Sequence, residues 1–269
     1  MIRSTFQLVP GVGPYKERQL WAAGVRTWDE LERGGDAVLS AAQRARLLGA
    51  VAAARAALDD GDADRLAAML PRRERWRLYP SFEEEAAFLD VECDGDALTA
   101  VGVLDRAGPR VFLRGRDLDA FPEAARGWKL LVTYNGTACD VPALERAFPG
   151  WRAPRAHVDV RHLWARLGHA GGLKLLEEHA GIGRPPHLAA MRGADAVRLW
   201  REHAAGDPDA LRRLAEYNLY DAVSLKSLVT LGYNRLVERL ELPAPLLSPW
   251  HRGDVLYDVT KALLMIAPA

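Results

Sequence analysis

The spacing of apolar positions divides the chain into a helical first part, a middle part rich in strands and a helical last part. Apolar and alanine residues recur at helical spacing from Ser40 to Leu58, and Thr27 and Glu30 form a capping box that opens a shorter helix. A run of acidic residues and glycine at 59–62 interrupts the long helix. We therefore predict a small all-helical unit over residues 1–70.

Strand patterns fill the middle of the chain. Apolar runs predict strands at 87–93 (AFLDVEC), 97–104 (ALTAVGVL) and 129–134 (KLLVTY), and the pattern allows a short fourth strand at 157–160 (HVDV). From Val141 onward almost every pattern is helical. Strands followed by helices predict an α/β fold with a mixed sheet.

The limits of the domains follow from changes in composition. The stretch LPRRERWRLYP is rich in arginine and bounded by Pro71 and Pro80, which predicts a basic linker over residues 71–80. We place the α/β domain at 81–231. A C-terminal extension at 232–269 contains four prolines and a final helical stretch.

Composition and charge limit the functions that the chain can have. Its 49% hydrophobic and 27% charged residues are typical of a globular protein. The formal net charge is +0, so attraction to nucleic acid must come from local basic patches or bound metal. Cys93 and Cys139 are too few for a disulfide framework, and no apolar run has the length of a signal peptide or membrane span. We expect a cytoplasmic protein that does not associate with membranes.

Carboxylates follow or interrupt several of the apolar patterns. In the first strand, Asp90 and Glu92 share a face with Phe88. An isolated pair of this kind is more often the wet face of an amphipathic strand, but an apolar run this dense indicates a strand covered on both faces, where two carboxylates need a cation. Asp140 follows the third strand and opens a helix, and by itself it is more easily explained as a helix N-cap than as a catalytic group.

Asp221 is the most informative of the acidic residues. It lies on one stripe of a late helix with Leu214, Tyr217, Leu225 and Leu228, which recur every three to four residues. A carboxylate on a buried face is costly unless it is paired or binds a metal. The alternative is a solvated aspartate beside a core tyrosine, and the helix pattern alone does not exclude it.

The order of the motifs is much rarer than any one of them. The chain has D-x-E in a strand, N-x4-D at a strand-to-helix junction and Y-x3-D in a late helix. In this order they resemble the DEDD exonucleases of the RNase H-like superfamily, specifically the tyrosine-bearing subclass and its bacterial YprB-like branch, which is similar to the proofreading domain of family B polymerases. The resemblance covers residues 78–231 and includes the segments HVDVRHL, GLKLLEEHAGIGR and EYNLYDAVSL. It implies an RNase H-like α/β fold, with a mixed five-stranded sheet flanked by helices, and 3′ to 5′ exonuclease activity.

The resemblance also implies roles for individual residues. Asp90, Glu92 and Asp221 resemble the ligands of one Mg²⁺ or Mn²⁺ ion, and Asp90 with Asp140 those of a second. Tyr217 would orient the attacking water or help to deprotonate it. Two such ions would support an in-line displacement that releases nucleoside 5′-monophosphates. Single-stranded DNA is the favoured substrate, and RNA is possible.

The positions beside the implied ligands depart from the family pattern. The family usually has two threonines after the glutamate and an aromatic residue before the second-motif aspartate, where this chain has Cys93-Asp94 and Cys139. These positions resemble contacts to the terminal nucleotide, so they bear on substrate binding more than on hydrolysis. The two thiols allow a redox switch, although buried thiols that fill space are more common. Asn135 matches a polar position near the site and is expected to contact nucleic acid, whereas Asp159 is expected to cap a helix.

Two further features predict contacts to nucleic acid. Gly11, Gly13 and Lys16 resemble part of a helix-hairpin-helix motif, in which backbone N–H groups receive a phosphate. Packing against the next domain is the alternative, and Glu17 stands where many such motifs have a small residue. The basic patch consists of Arg72, Arg73 and Arg75 around Trp76, and it suits a single strand whose bases stack; a solvated linker is the alternative.

The leading hypothesis is therefore a single-strand-directed nuclease. One competitor is a nucleic-acid-binding protein whose nuclease site is weak or inactive. The other is a structural or interaction module.

Overall fold

The protein contains a five-stranded mixed sheet in the order β3-β2-β1-β4-β5. The structure is a computed structural model that describes residues 1–248, 258–264 and 266. The strands are β1 (Ala86–Asp94), β2 (Ala97–Asp105), β3 (Gly108–Leu113), β4 (Leu130–Thr133) and β5 (His157–Asp159). β1 and β2 pair antiparallel, as do β2 and β3, whereas β4 runs parallel to both β1 and β5. The predicted α/β fold with a mixed five-stranded sheet is confirmed.

Helices precede and follow the sheet. The α-helices of the described residues are α1 (Pro14–Ala22), α2 (Trp28–Arg33), α3 (Ala41–Asp59), α4 (Ala63–Met69), α5 (Phe121–Ala124), α6 (Asp140–Ala147), α7 (Val160–Ala165), α8 (Leu173–Ala180), α9 (Pro186–Ala189), α10 (Gly193–Ala204), α11 (Ala210–Arg239) and α12 (Thr260–Leu264). Short 3-10 helices lie at Ile2–Ser4, Arg72–Ser81, Glu83–Glu85 and Leu118–Ala120. The predicted capping box of α2 and the predicted long helix α3 are both present. Within the described residues, none of these helices combines the length and the hydropathy that a membrane span requires.

The two faces of β1 pack into different apolar clusters, as its alternating pattern predicts. Phe88 belongs to a large cluster shared with α11 and with the N-terminal helices. Leu89 belongs to a second cluster on the other face of the sheet, together with Phe121 of α5 and Leu144 of α6. The face with Phe88 also carries Asp90, so the acidic residues of β1 point toward α11.

Helix α11 crosses the sheet over β1 and β2, and a glycine makes this close approach possible. Gly102 of β2 is the register partner of Asp90. A Cβ atom at Gly102 would lie 2.6 Å from the Asn218 side-chain oxygen and 2.9 Å from the Asn218 backbone oxygen. The missing side chain therefore lets α11 bring its residues against the acidic part of β1.

Residues 71–80 connect the helical unit to the sheet, but they are not a solvated linker. They form most of the 3-10 helix Arg72–Ser81, in which Trp76 is 3% exposed and Arg77 is 2% exposed. At the other end of the domain, α11 continues to Arg239 and so passes the expected boundary at residue 231. Much of the final helical stretch, predicted at 258–266, lies in α12, while part of the C-terminal extension falls outside the described residues. The domain limits themselves stay predictions.

Candidate metal centre

Three carboxylates from two elements meet where α11 crosses β1. One carboxylate oxygen from each of Asp90, Glu92 and Asp221 lies within 4.8 Å of the other two. Asp90 and Glu92 reach the site because they alternate along β1, and the strand pairing is interrupted by a bulge immediately after Glu92. Asp221 is only 7% exposed and lies on the buried stripe that the sequence predicts. These three residues are close enough to hold a metal ion together.

Asp140 approaches the same site from α6. Its Oδ1 atom accepts a hydrogen bond of 3.0 Å from the backbone N–H of Val91, and the residue is 6% exposed. The N-cap of α6 is Cys139, so the alternative in which Asp140 is the N-cap is wrong. The carboxylate is not one of the three that lie within 4.8 Å of one another, but its charge acts on Asp90.

Burial and mutual repulsion oppose ionisation of these acids. Burial, followed by the neighbouring charges of Asp221 and Glu92, raises the pKa of Asp90 well above its ordinary value. Burial and the charge of Asp221 raise the pKa of Glu92 to about 8. Burial raises the pKa of Asp140 to about 7. A cation placed among the carboxylates would relieve this repulsion, and hard oxygen donors of this kind suit Mg²⁺ or Mn²⁺.

A family model described as RNase_H superfamily matches residues 87–233, which is more than half of the 269 residues. The chain belongs to the RNase H superfamily. Proteins of this superfamily generally hydrolyse nucleic acids, and its nucleases use divalent metal ions. Neither the curated proteins nor the solved structures include a match to this chain.

Arg184 contributes a cation to the site of this RNase H superfamily protein. Its guanidinium forms an ion pair with Asp221 and two hydrogen bonds, of 2.5 and 2.6 Å, with the carboxylate of Glu177. The Arg184 side chain is 4% exposed. The sequence segment that carries the resemblance contains both residues, but spacing alone gives no reason to connect them with Asp221.

Lys174 contacts the tyrosine of the Y-x3-D motif. Its Nζ atom donates a hydrogen bond of 2.9 Å to the hydroxyl of Tyr217 and lies 4.2 Å from the centre of the ring. Burial and the charge of Asp221 raise the pKa of Tyr217, so the phenol stays protonated at neutral pH. Lys174, Tyr217 and Asp221 line a cavity of about 410 Å³, together with Arg192. The sequence predicts the position of Tyr217 but not the contact with Lys174.

Asn218 is a third residue, after Arg184 and Lys174, whose contact at the site the sequence patterns did not predict. Its Nδ2 atom donates hydrogen bonds of 2.8 Å to the Asp90 carboxylate and 3.1 Å to the Asp90 carbonyl. Helix α11 therefore supplies one carboxylate of the site, Asp221, and through Asn218 it also orients Asp90 of β1. In the sequence, only its position between Tyr217 and Asp221, in the segment EYNLYD, connects Asn218 with the site.

The residues that depart from the family pattern lie beside the carboxylates. Burial and the charge of Glu92 raise the pKa of the Cys93 thiol to about 11, which disfavours the thiolate that a redox switch requires. Asp94 forms an ion pair of 2.7 Å with Arg201 of α10. Cys139 is exposed.

Asn135 lies in the loop between β4 and α6. Its backbone has a left-handed φ of 59°, a conformation that asparagine tolerates better than most residues. Its Oδ1 atom accepts a hydrogen bond of 2.8 Å from Arg161, and its N–H donates one of 2.8 Å to Asp159. Asp159 also accepts a hydrogen bond from the N–H of Arg161 as the N-cap of α7, which confirms its predicted capping role. Contact between Asn135 and nucleic acid stays a prediction.

The N-terminal glycines precede α1, as the sequence predicts. Gly13 is the N-cap of α1, and Gly11 has a positive φ of 85°. Lys16 donates a hydrogen bond of 2.5 Å to Gln43. The element before the glycines is the 3-10 helix Ile2–Ser4 rather than an α-helix, so the first helix of a helix-hairpin-helix motif is missing from this position.

Glu17 faces the protein interior and packs α1 onto the rest of the chain. It is 1% exposed and accepts two hydrogen bonds of 2.9 Å from Arg77. It also accepts hydrogen bonds of 2.7 Å from the N–H of Phe6 and from the side chain of Gln7. The packing role considered for this unit is therefore present, whereas phosphate binding by Gly11, Gly13 and Lys16 stays a prediction.

The basic patch around residue 76 differs from its prediction in one respect. Arg72 and Arg73 are exposed, and Arg75 is half-buried with a hydrogen bond to the carbonyl of Ala67. Trp76, however, is buried and packs edge-on against Tyr233, with ring centres 5.7 Å apart. The expectation that Trp76 stacks on a base is wrong because its faces are already covered.

Proposed function

We propose that the protein is a metal-dependent 3′ to 5′ exonuclease of the DEDD type, in the tyrosine-bearing subclass, that acts on single-stranded ends and on DNA in preference to RNA. The observation that carries the proposal is the meeting of Asp90, Glu92 and Asp221 in one buried group, with Tyr217 one helical turn before Asp221. Membership of the RNase H superfamily supports a nucleic acid substrate.

The residues present fit two hard divalent cations, because every candidate ligand is a carboxylate oxygen. In this proposal Asp90, Glu92 and Asp221 hold one Mg²⁺ or Mn²⁺ ion, and Asp90 and Asp140 hold the second. Bound ions of this kind stabilise the attacking and leaving oxygens of an in-line displacement at phosphorus. The product is a nucleoside 5′-monophosphate.

Tyr217 and its neighbours complete the proposed site. The Tyr217 hydroxyl accepts a hydrogen bond from Lys174, which leaves its own proton free to be donated. Because the phenol stays protonated at neutral pH, its role is to orient the attacking water by a hydrogen bond rather than to remove its proton. Asn218 holds the Asp90 carboxylate in place.

A second candidate function is nucleic acid binding with a weak or inactive nuclease site. The ion pair between Arg184 and Asp221 favours it, because the guanidinium contacts a carboxylate that a metal would use. A cleavage assay distinguishes the two functions, since only the first requires metal-dependent cleavage.

The test uses single-stranded DNA and RNA oligonucleotides labelled at either end, with Mg²⁺, Mn²⁺ or chelator. A 3′-labelled strand is expected to release labelled mononucleotide at once, and a 5′-labelled strand to give a shortening ladder. Asp90→Asn and Asp221→Asn are expected to lower the rate about 100-fold or more, as removal of transition-state stabilisation does. Asp119→Asn, at an exposed position outside the site, is the matched control. Cleavage in chelator, or cleavage unchanged in the two site variants, would contradict the proposal.

A further inference from the structure

A basic cleft of about 520 Å³ lies beside β5, the strand at one edge of the sheet. Arg72, Arg73 and Arg75 line it from the 3-10 helix, Arg155 from the loop before β5, and Arg166 from the segment after α7. The cleft therefore joins the arginines of the basic patch to two arginines of the nuclease domain.

Two acidic residues line the cleft, Asp159 and Glu145, and they do not balance the charge of its five arginines. The Asp159 carboxylate accepts hydrogen bonds from the backbone N–H groups of Asn135, Thr137 and Arg161. Arg166 and Arg73 share an acidic partner, Glu74, at 3.3 and 3.7 Å. By contrast, within the part of the chain that the structure describes, no acidic side chain pairs with Arg72 or Arg155.

The crowded cations affect the pKa of the residues between them. Burial and repulsion by Arg72 and Arg155 lower the pKa of Arg75. Burial lowers the pKa of His157 to about 4; the charge of Asp159 acts in the opposite direction, and repulsion by Arg75 lowers the pKa further. An anion in the cleft would relieve this repulsion, and guanidinium groups bind phosphate oxygens with two parallel hydrogen bonds.

The cleft adjoins the acidic site through one loop and one helix. Thr137 of the loop between β4 and α6 lines the cleft, and so do Val141 and Glu145 of α6. Asp140, the proposed ligand of the second metal ion, is the first residue of the same helix. A strand with its 3′ end among the carboxylates can therefore continue past α6 into the cleft.

We propose that this cleft binds the sugar–phosphate backbone of a single-stranded nucleic acid, upstream of the 3′ end that the acidic site receives. The placement of the 3′ end rests on the proposed function, whereas the binding of the strand does not. The lining includes no tyrosine or phenylalanine, and Trp76 is buried, but the imidazole of His162 lines the cleft with its side chain 69% exposed and offers a ring on which one base can stack. The arginines contact the backbone, and those contacts are independent of base sequence.

The experiment measures the fluorescence anisotropy of a labelled 20-nucleotide oligothymidine with increasing protein, in chelator so that no metal-dependent cleavage occurs, at several salt concentrations. The test variant is Arg72→Ala with Arg155→Ala in the full chain. The control variant, Arg33→Ala with Arg106→Ala, removes the same charge from exposed positions outside the cleft. The logarithm of the affinity falls as the logarithm of the salt concentration rises, and for a single strand each phosphate contact contributes about 0.7 to the steepness of this fall. The slope of the test variant is therefore expected to be shallower than that of the wild type by about 1.4.

The expected result is an affinity about 10-fold lower in the test variant at 100 mM salt, and nearly unchanged in the control variant, with equal melting temperatures. Equal affinities and slopes for wild type and test variant would overturn the proposal. So would equal losses in both variants, or displacement of the oligonucleotide by polyglutamate at the same charge concentration. If the wild type binds but does not cleave, the proposed function fails, and a loss confined to the test variant still supports the cleft.

Discussion

At the candidate metal centre, a protein side chain already provides a positive charge beside the carboxylates. Arg184 lies between Asp221 and Glu177, and all three side chains are nearly inaccessible to solvent. A buried ion pair gains little over an apolar replacement, but loss of one partner leaves a charge without compensation. The contact therefore links α11 to α8 and the loop after it through one buried side chain.

We predict that Arg184→Met lowers the free energy of unfolding by about 3–5 kcal/mol, because Glu177 is left buried without its partner. Adding Glu177→Gln to the same chain is expected to recover part of the loss, since it removes one of the two carboxylates left unpaired, the other being Asp221. Urea unfolding of the single and double variants measures both effects. Arg201→Met, which breaks an exposed ion pair with Asp94, is the control and should change stability little. Equal losses in Arg184→Met and Arg201→Met would contradict the prediction.

At the level of elements, the site depends on how closely α11 crosses the sheet. Asn218 of α11 and Gly102 of β2 lie against each other directly beside Asp90. A side chain at residue 102 would meet backbone as well as side-chain atoms of the helix, so a rotamer change of Asn218 alone would not relieve the clash.

Gly102→Ala is therefore expected to move α11 away from β1, at a cost of about 1–3 kcal/mol in stability, as overpacking in a core does. The shift would weaken metal binding and nuclease activity together, because it separates Asp221 from Asp90 and Glu92. Urea unfolding and the metal-concentration dependence of cleavage measure the two effects. Gly49→Ala is the matched control: Gly49 lies inside α3 with open space around it, and alanine there is expected to stabilise the helix. Normal stability and normal metal dependence in Gly102→Ala would contradict the prediction, because they would mean that the extra methyl group fits without displacing α11.

The sequence predicts the elements that carry the site better than the contacts within it. The pattern identified β1, β2 and β4 because dense apolar runs mark strands covered on both faces, and helical spacing identified the stripe of α11 that carries Asp221. β3 has no such signal, since Pro109 and Arg110 precede an apolar run of only three residues. Arg184 and Asn218 contact the carboxylates, and Lys174 contacts Tyr217, through the packing of α8 against α11 and of α11 against β1, and one-dimensional spacing does not contain that information.

At the scale of the whole molecule, the N-terminal helices and the RNase H superfamily domain share one core. A single apolar cluster includes Phe6 and Leu47 of the first 70 residues together with Phe88 of β1 and Leu228 of α11. Arg77 and Glu17 form a buried ion pair across the same boundary, with side chains 2% and 1% exposed. Trp76, expected to be free for a base, is instead part of this junction.

The shared core predicts that the helical unit is not a separable module. Full-length protein is expected to unfold in one transition, with the same midpoint by tryptophan fluorescence and by far-ultraviolet circular dichroism. Glu17→Gln should lower that midpoint for both probes, because it weakens a buried contact on which both parts depend. A fragment comprising residues 71–269 is expected to lose cooperative unfolding and to bind a hydrophobic dye, since the apolar surface facing α1–α4 becomes exposed. Two separate transitions in the full chain, or a fragment that melts as the full chain does, would instead mean that the ion pair and the cluster join two independently stable domains.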